Sequence, residues 1–303
     1  MSQTQPRVLV IRGGAIGDFI LTLPAIRLLR EHLTACHLEV LGYPGIAELA
    51  ISAGLADKTR SLSDSRMARL FARGATIDAE LATYFTSFHL IVSYLYDPDE
   101  VLRGNLERLG VKALIDMPQR VMHGAGHASE QLARPLQKLA LFLEEPQWRL
   151  PIFPVGVKAS KIAIHLGSGS ESKNWPMDHW SQLIRDLKDR QPDTQFVCIT
   201  GEAEEARGTV NLARIHPTIE HWHSLPLVEL ASRLGNCGLF LGHDSGISHL
   251  ASACGVSCLL LFGPTDPATW APPQPTVQIL QAPEGDLALL TLETVLEAVL
   301  LLA

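Results

Sequence analysis

The sequence contains no run of the ~18 to 20 apolar residues that a membrane-spanning helix requires, and no long basic run. The first absence leaves no candidate helical span. The second, with 25 basic against 32 acidic residues and a net charge of −7, makes nucleic acid a poor partner, although a local basic patch for an anionic substrate is compatible with that balance. Cysteine is scarce: Cys36, Cys198, Cys237, Cys254 and Cys258 are odd in number and stand in apolar surroundings, which suits reduced thiols in a cytosolic protein. Cys254 and Cys258 lack the spacing and the second pair of a zinc site, so no metal is expected there. The opening MSQTQPRVLVIRGG has no apolar segment followed by a cleavage site, and no signal peptide is expected.

At 303 residues, 47% hydrophobic and 19% charged, the chain can bury two cores of ordinary size. Pro146, Pro151 and Pro154 crowd one short stretch that reads as an inter-domain linker, giving expected domains at residues 1–150 and 151–303. After it the order of elements restarts. Arg7 to Ile11 is an apolar strand that opens into Arg12-Gly13-Gly14-Ala15-Ile16-Gly17-Asp18, with helical spacing from Phe19 to His32. Lys161 to His165, a Gly/Ser loop from Leu166 to Ser172, and a helix entered at Trp175-Pro176 and running through Lys188 repeat that order. His37 to Leu41, Leu90 to Leu95 and Gln195 to Thr200 read as further strands, with helices between. Such alternation argues for an α/β class with parallel sheets, in two Rossmann-like halves.

Two loops can carry chemistry. Gly13, Gly14 and Gly17 let backbone approach a ligand, and Asp18 falls where a helix begins and an anion is favoured by its dipole. The loop reads G-G-x-x-G rather than G-x-G-x-x-G, so a nicotinamide or flavin is a weak assignment and no cofactor is expected. On this loop alone Asp18 reads first as an N-cap or first-turn helix carboxylate, ahead of any catalytic role.

The second stretch runs from Leu239 to Pro267. A buried strand ends at Gly242, and His243-Asp244-Ser245-Gly246 supplies a turn whose Asp or Ser caps a helix to about Cys254. Val256 to Phe262 is a second buried strand, ending in the rigid turn Gly263-Pro264-Thr265-Asp266-Pro267. Both turns fall at carboxyl ends of strands, where open α/β sheets bind ligands, and the helix start offers amides to a phosphate, a diphosphate or a sugar. The alternative is a capped helix and a proline turn with no ligand.

Elsewhere, Arg60, Arg66, Arg69 and Arg73 lie at helical spacing and form either a face for a phosphorylated acceptor or a solvated surface. His123 and His127 flank glycines without a third metal ligand and suit an acceptor loop, before a helix carrying Leu132, Leu136, Leu139 and Leu143. His221 and His223 read as ordinary polar residues. The tail from Asp286 to Ala303 reads as a core-packing helix, since no lysine or arginine marks it as a membrane-surface one.

Three stretches in order carry a resemblance: RVLVIRGGAIGDFILTLPAIRLLR from Arg7, HLGSGSESKNWPMDHWSQLI from His165 with Lys173 and Trp175-Pro176, and GHDSGISHLASACGVSCLLLFGPTDP from Gly242. Together they resemble glycosyltransferase family nine, the ADP-heptose:lipopolysaccharide heptosyltransferase family. The resemblance implies GT-B architecture, two Rossmann-like domains with parallel sheets facing a central cleft, the acceptor side in the N-terminal domain and the nucleotide-sugar donor mainly in the C-terminal one. It implies an inverting, metal-independent transfer of heptose from ADP-heptose to a hydroxyl of an anionic glycan or glycolipid such as lipopolysaccharide core. It also implies a cytoplasmic enzyme working at the inner face of the membrane, with at most peripheral contact.

By the same resemblance Asp18 is the candidate general base, beside the loop glycines Gly13, Gly14 and Gly17. Lys173 meets the donor diphosphate or sugar. Asp244 holds sugar hydroxyls, Ser245 and Gly246 cradle phosphate, His249 supports that loop, and Thr265 and Asp266 lie on the adjacent turn. Two other readings stay open: a nucleotide-sugar epimerase of similar shape, for which no second catalytic carboxylate is evident, and a non-catalytic nucleotide-sugar binding protein.

Overall fold

A computed structural model of the protein describes residues 5–118, 120–201 and 219–302. The chain divides into two compact units, Met1–Glu144 and Glu145–Ala303.

In the first unit, β1 (Arg7–Arg12), β2 (His37–Gly42), β3 (Lys58–Ser61), β4 (Leu90–Ser93) and β5 (Leu114–Asp116) form one sheet in the order β3-β2-β1-β4-β5, parallel throughout. β1 buries Val8 through Ile11 without alternation, as a strand covered on both faces must. Helix α1 (Ile16–His32) follows it directly, and its buried residues run from Phe19 to Leu29 on nearly every side except Arg27. It packs on α5 (Ala128–Ala133), so an apolar helix with little amphipathic contrast is what its position demands. The remaining helices here are α2 (Glu48–Ser52), α3 (Ala79–Thr86) and α4 (Val101–Leu109).

The second unit has β6 (Ala159–His165), α6 (Met177–Arg190), β7 (Gln195–Thr200), β8 (Glu220–His223), α7 (Leu227–Leu234), β9 (Cys237–His243), α8 (Gly246–Ala253), β10 (Ser257–Phe262), α9 (Pro267–Trp270), β11 (Val277–Gln281) and α10 (Leu292–Leu302). Its sheet runs β11-β10-β9-β6-β7-β8, again all parallel. Trp175, Trp180, Leu183, Ile184 and Leu187 pack with Val295 and Val299 in its core. Three α10 residues, Val295, Leu296 and Val299, are buried, as a core-packing helix requires.

In both sheets the chain winds outward one way from its first strand, then returns to the other side of it. The order reverses between β1 and β4, and between β6 and β9. Such a reversal opens a crevice beyond the carboxyl ends of the two neighbours, because their outgoing connections leave to opposite faces. Arg12 ends β1, His165 ends β6 and His243 ends β9, so the first loop and the third motif both leave from switch points.

Two local expectations are corrected. Arg60 lies on β3 and Arg66 and Arg69 on a 3-10 turn (Ser65–Phe71), so they do not share a helix face. Arg66 pairs with Asp64 and Glu80, each at 2.8 Å, and Arg60 sits 3.8 and 3.7 Å from the same two carboxylates. The helix expected to carry four leucines ends at Ala133, where Pro135 lacks the amide a regular helix needs and a 3-10 turn (Arg134–Leu139) takes over.

Candidate functional site

In the first unit, Asp18 occupies the third position of α1. Its Oδ2 accepts from the Ala15 amide at 3.2 Å, and its Oδ1 lies 3.8 Å from Arg12 Nη2. Arg12 is itself buried, donates to the Asp18 carbonyl at 3.2 Å and stacks over Tyr94 at 5.2 Å. Burial pulls the Arg12 guanidinium below its ordinary value, with Asp18 and Tyr94 opposing. The Asp18 side chain remains 43% exposed, so a carboxylate fixed from behind still presents itself to solvent.

Gly14 has φ +99°, and a Cβ there would stand 3.1 Å from Asp18 Oδ2, so glycine is required both by the backbone and by the carboxylate beside it. Gly13 lies outside the helix, whereas Gly17 falls inside the first turn of α1 rather than in the loop. The Ala15 amide that an incoming phosphate would take is already held by Asp18. That occupied amide argues against a phosphate cradle at this end of the sheet.

The same unit has an open depression of about 430 Å³ whose wall includes Asp116, Arg120, Met122, Arg134 and Lys138. Arg120 lies over Tyr96 at 5.7 Å, and Met122 is 68% exposed. His127 caps α5 through Nδ1, which accepts from the Ser129 amide at 3.2 Å.

In the second unit, loops from two of these stretches converge. Lys173, on the turn Glu171–Lys173, sets Nζ 2.6 Å from Asp244 Oδ2, and Thr265 Oγ1 donates to that same oxygen at 2.8 Å. Asp244 is 10% and Lys173 29% exposed. The pair is held at the sheet edge and still reaches water. Ser245 caps α8, accepting from the Ser248 amide at 3.3 Å, and its Oγ lies 3.3 Å from His165 Nδ1. Gly246 opens that helix, and both it and Ser245 are partly exposed, so the helix start faces outward. His249 is buried one turn later. Asp266 is occupied as the cap of α9, accepting from the Ala268 amide at 3.0 Å and from Thr269 Oγ1 at 2.6 Å.

Sequence reasoning assigned no role to Arg12, His165, His243 or Ser248. His243 is fully buried, its Nε2 accepts the Trp175 amide proton at 2.8 Å, and Ser248 Oγ donates to its carbonyl at 2.5 Å. The available signal was position alone, since His165 and His243 each end a strand at the switch point. Among the described residues no group of three or more His, Cys, Asp or Glu side chains is arranged to hold a metal ion.

A partly buried cation, carboxylate and hydroxyl, beside an outward helix start, have the chemistry to receive a phosphorylated, hydroxyl-rich ligand. Comparison with known proteins identifies the family. The sequence pattern of glycosyltransferase family 9 (heptosyltransferase) matches residues 108–299, more than half of the chain.

The chain belongs to glycosyltransferase family 9.

A family relative, lipopolysaccharide heptosyltransferase 1 of Escherichia coli strain K12, is 27% identical over 140 residues. That match covers 46% of this chain and 43% of the relative, less than half the length of each. In three dimensions the family fold extends over nearly the whole chain. E. coli heptosyltransferase WaaC with ADP superposes with a TM-score of 0.76 at 19% identity, covering 98% of this chain and 100% of that one. E. coli WaaC with ADP-2-deoxy-2-fluoro heptose gives 0.73 at 19% identity with the same coverage. The fold is accordingly of the GT-B type, with two parallel α/β sheets.

Proposed function

We propose that the protein is an inverting glycosyltransferase that moves heptose from ADP-heptose onto a hydroxyl of a lipopolysaccharide core or a related anionic glycan. The observation that carries this reading is the cluster of Lys173, Asp244 and Thr265 on the switch point of the second sheet, in which folding brings the Lys173 stretch to the one that holds Asp244 and Thr265. Family membership supports the class of reaction, and the ligands named for the superposed WaaC structures support the donor.

In this reading the C-terminal unit holds the donor. Lys173 and the amides at the start of α8 neutralise the departing diphosphate, Asp244 and Thr265 hold sugar hydroxyls, and His249 supports the loop. Gly246 lets the backbone approach phosphate, Ser245 adds a hydroxyl, and Asp266 contributes by shaping the turn. The N-terminal unit takes the acceptor. Asp18, with Gly13, Gly14 and Gly17 giving it room, receives the proton of the attacking hydroxyl. Arg120, Arg134 and Lys138 supply the basic patch an anionic acceptor needs.

Glycosyl transfer passes through an oxocarbenium-like state, in which a positioned carboxylate can deprotonate the incoming oxygen and fixed cations can stabilise the leaving group. One such displacement inverts the anomeric centre. Because Lys173 and helix amides supply the positive charge, the reaction requires no metal. The acceptor class places the work at the cytoplasmic face of a membrane, and no helix among the described residues is long and apolar enough to cross one.

The deciding experiment is a thermal-shift panel of nucleotides and nucleotide-sugars, followed by a transfer assay with and without EDTA. Selective stabilisation by ADP and ADP-heptose with EDTA-resistant transfer is the expected result. A preference for another nucleotide-sugar would displace the donor, and loss of turnover with EDTA would remove metal independence.

A further inference from the structure

The donor-side pair joins residues from two distant loops, and something must hold the turn that carries Lys173 in place. That turn is tied within itself by the Lys173 amide to the Ser170 carbonyl at 3.1 Å and the Asn174 amide to the Glu171 carbonyl at 3.0 Å. Where the chain leaves it, the next amide is that of Trp175, and it donates to His243 Nε2 at 2.8 Å. His243 immediately precedes Asp244, and its own carbonyl accepts from Ser248 Oγ. One side chain therefore ties the Lys173 turn to the strand end that presents Asp244. We infer that His243 is a positioning residue for the donor site, holding Lys173 against Asp244 by accepting the Trp175 amide proton. The inference rests on the donor-binding role proposed above for that pair.

The surroundings make His243 suited to that task. It is wholly buried, edge-on to Trp180 at 5.4 Å, in a core layer with Trp175. Burial lowers its ordinary basicity to about 3, with His165 adding to the effect and the Gly167 backbone and Asp244 opposing it, so the ring stays neutral and Nε2 keeps its lone pair. With Nε2 accepting, the ring proton lies on Nδ1, which is buried and faces the Gly167 backbone. The histidine offers a rigid acceptor at one fixed distance from the strand.

The competing explanation is that the bond merely satisfies a buried amide, Trp175 being anchored already by its indole Nε1 on the Leu290 carbonyl at 2.8 Å. ADP affinity by calorimetry on the full-length protein separates the two. His243→Leu removes the acceptor. His243→Gln carries an amide oxygen about where Nε2 stands, and His243→Asn places the same group too short to reach Trp175.

The Leu and Asn variants are expected to weaken ADP binding about 10-fold and the Gln variant by less than about 3-fold. In a Lys173→Ala background the Leu and Asn effects should fall below about 2-fold, because the residue being positioned is gone. Should the Leu variant fail to fold, the Gln and Asn pair still decides. Equal losses for Gln and Asn, or undiminished losses without Lys173, would overturn the positioning role while leaving the donor site standing. Failure of the wild-type protein to bind ADP would remove the donor reading, and this inference with it.

Discussion

Asp244 and Lys173 are 71 residues apart in the chain, yet their Oδ2 and Nζ atoms stand 2.6 Å from one another. Asp244 also receives the Thr265 hydroxyl, so one carboxylate oxygen satisfies two donors in a site that is mostly shielded from water. Asp244→Ala would leave an ammonium and a hydroxyl unpaired. Because Lys173 can still turn to solvent, the expected loss is about 1 to 3 kcal/mol rather than that of a fully buried pair. Urea denaturation measures it, and a change below about 0.5 kcal/mol would show that the pair is not structural.

Asp18 has both a local and a chemical role, and two substitutions separate them. Asp18→Asn keeps a side-chain oxygen for the Ala15 amide and should leave stability nearly unchanged, with donor affinity intact and transfer reduced about 10² to 10⁴-fold. Asp18→Ala should lose transfer equally and also destabilise α1 by about 0.5 to 2 kcal/mol through the missing cap interaction. Wild-type turnover in the Asn variant would take Asp18 out of the mechanism.

Arg120 and Lys138 line the depression in the first unit, whereas every residue assigned to the donor belongs to the second. Arg120→Ala and Lys138→Ala should raise the acceptor KM several-fold at low salt while ADP affinity stays at the wild-type value, the expected signature of losing charge contacts to an anionic ligand. Steady-state kinetics with acceptor varied at saturating donor provides the check; an unchanged acceptor KM would move the acceptor elsewhere.

The neutral, buried His243 makes stability depend on pH in a defined window. Its basicity falls from an ordinary 6.5 to about 3 on folding, so between those values the unfolded chain binds a proton that the folded ring refuses. Its contribution is therefore fully retained above about pH 6.5 and is lost progressively as pH drops toward 3. Denaturation midpoints of wild type and His243→Gln at pH 7 and pH 4.5 should show a steeper acid loss for the wild type. Parallel losses would mean that carboxylates alone control the acid limb.

In the first unit, Tyr84 donates its hydroxyl to the fully buried Glu39 at 2.8 Å. Tyr84→Phe deprives that carboxylate of a partner and should cost about 1 to 3 kcal/mol, read as a lower midpoint in urea. No measurable shift would show that Arg7 at 3.5 Å and His37 at 3.8 Å suffice as its partners.

What the sequence determined by itself was the interior of each sheet and the order of the motifs. β1, β2, β4, β6, β7, β9 and β10 are legible because strands buried on both faces are mostly apolar, the buried Glu39 of β2 being the exception, and the loops that leave β1 and β9 follow from glycine, Asp and Ser at the strand ends. The strands that escaped notice, β3, β5, β8 and β11, are the edges of the two sheets among the described residues. Paired on one side only, they are short or polar, as in Lys58–Ser61 and Glu220–His223, and carry no hydrophobic run to announce them.

Tertiary structure alone decided which motif meets which. Reversal of strand order puts β6 beside β9, and that adjacency brings the Lys173 turn to Asp244 and Trp175 to His243, while the pairing of β9 with β10 brings Thr265 to the same carboxylate oxygen. Local spacing encodes strands, turns and caps, whereas contacts between loops 71 or 21 residues apart exist only once hydrogen bonding has fixed the register of neighbouring strands.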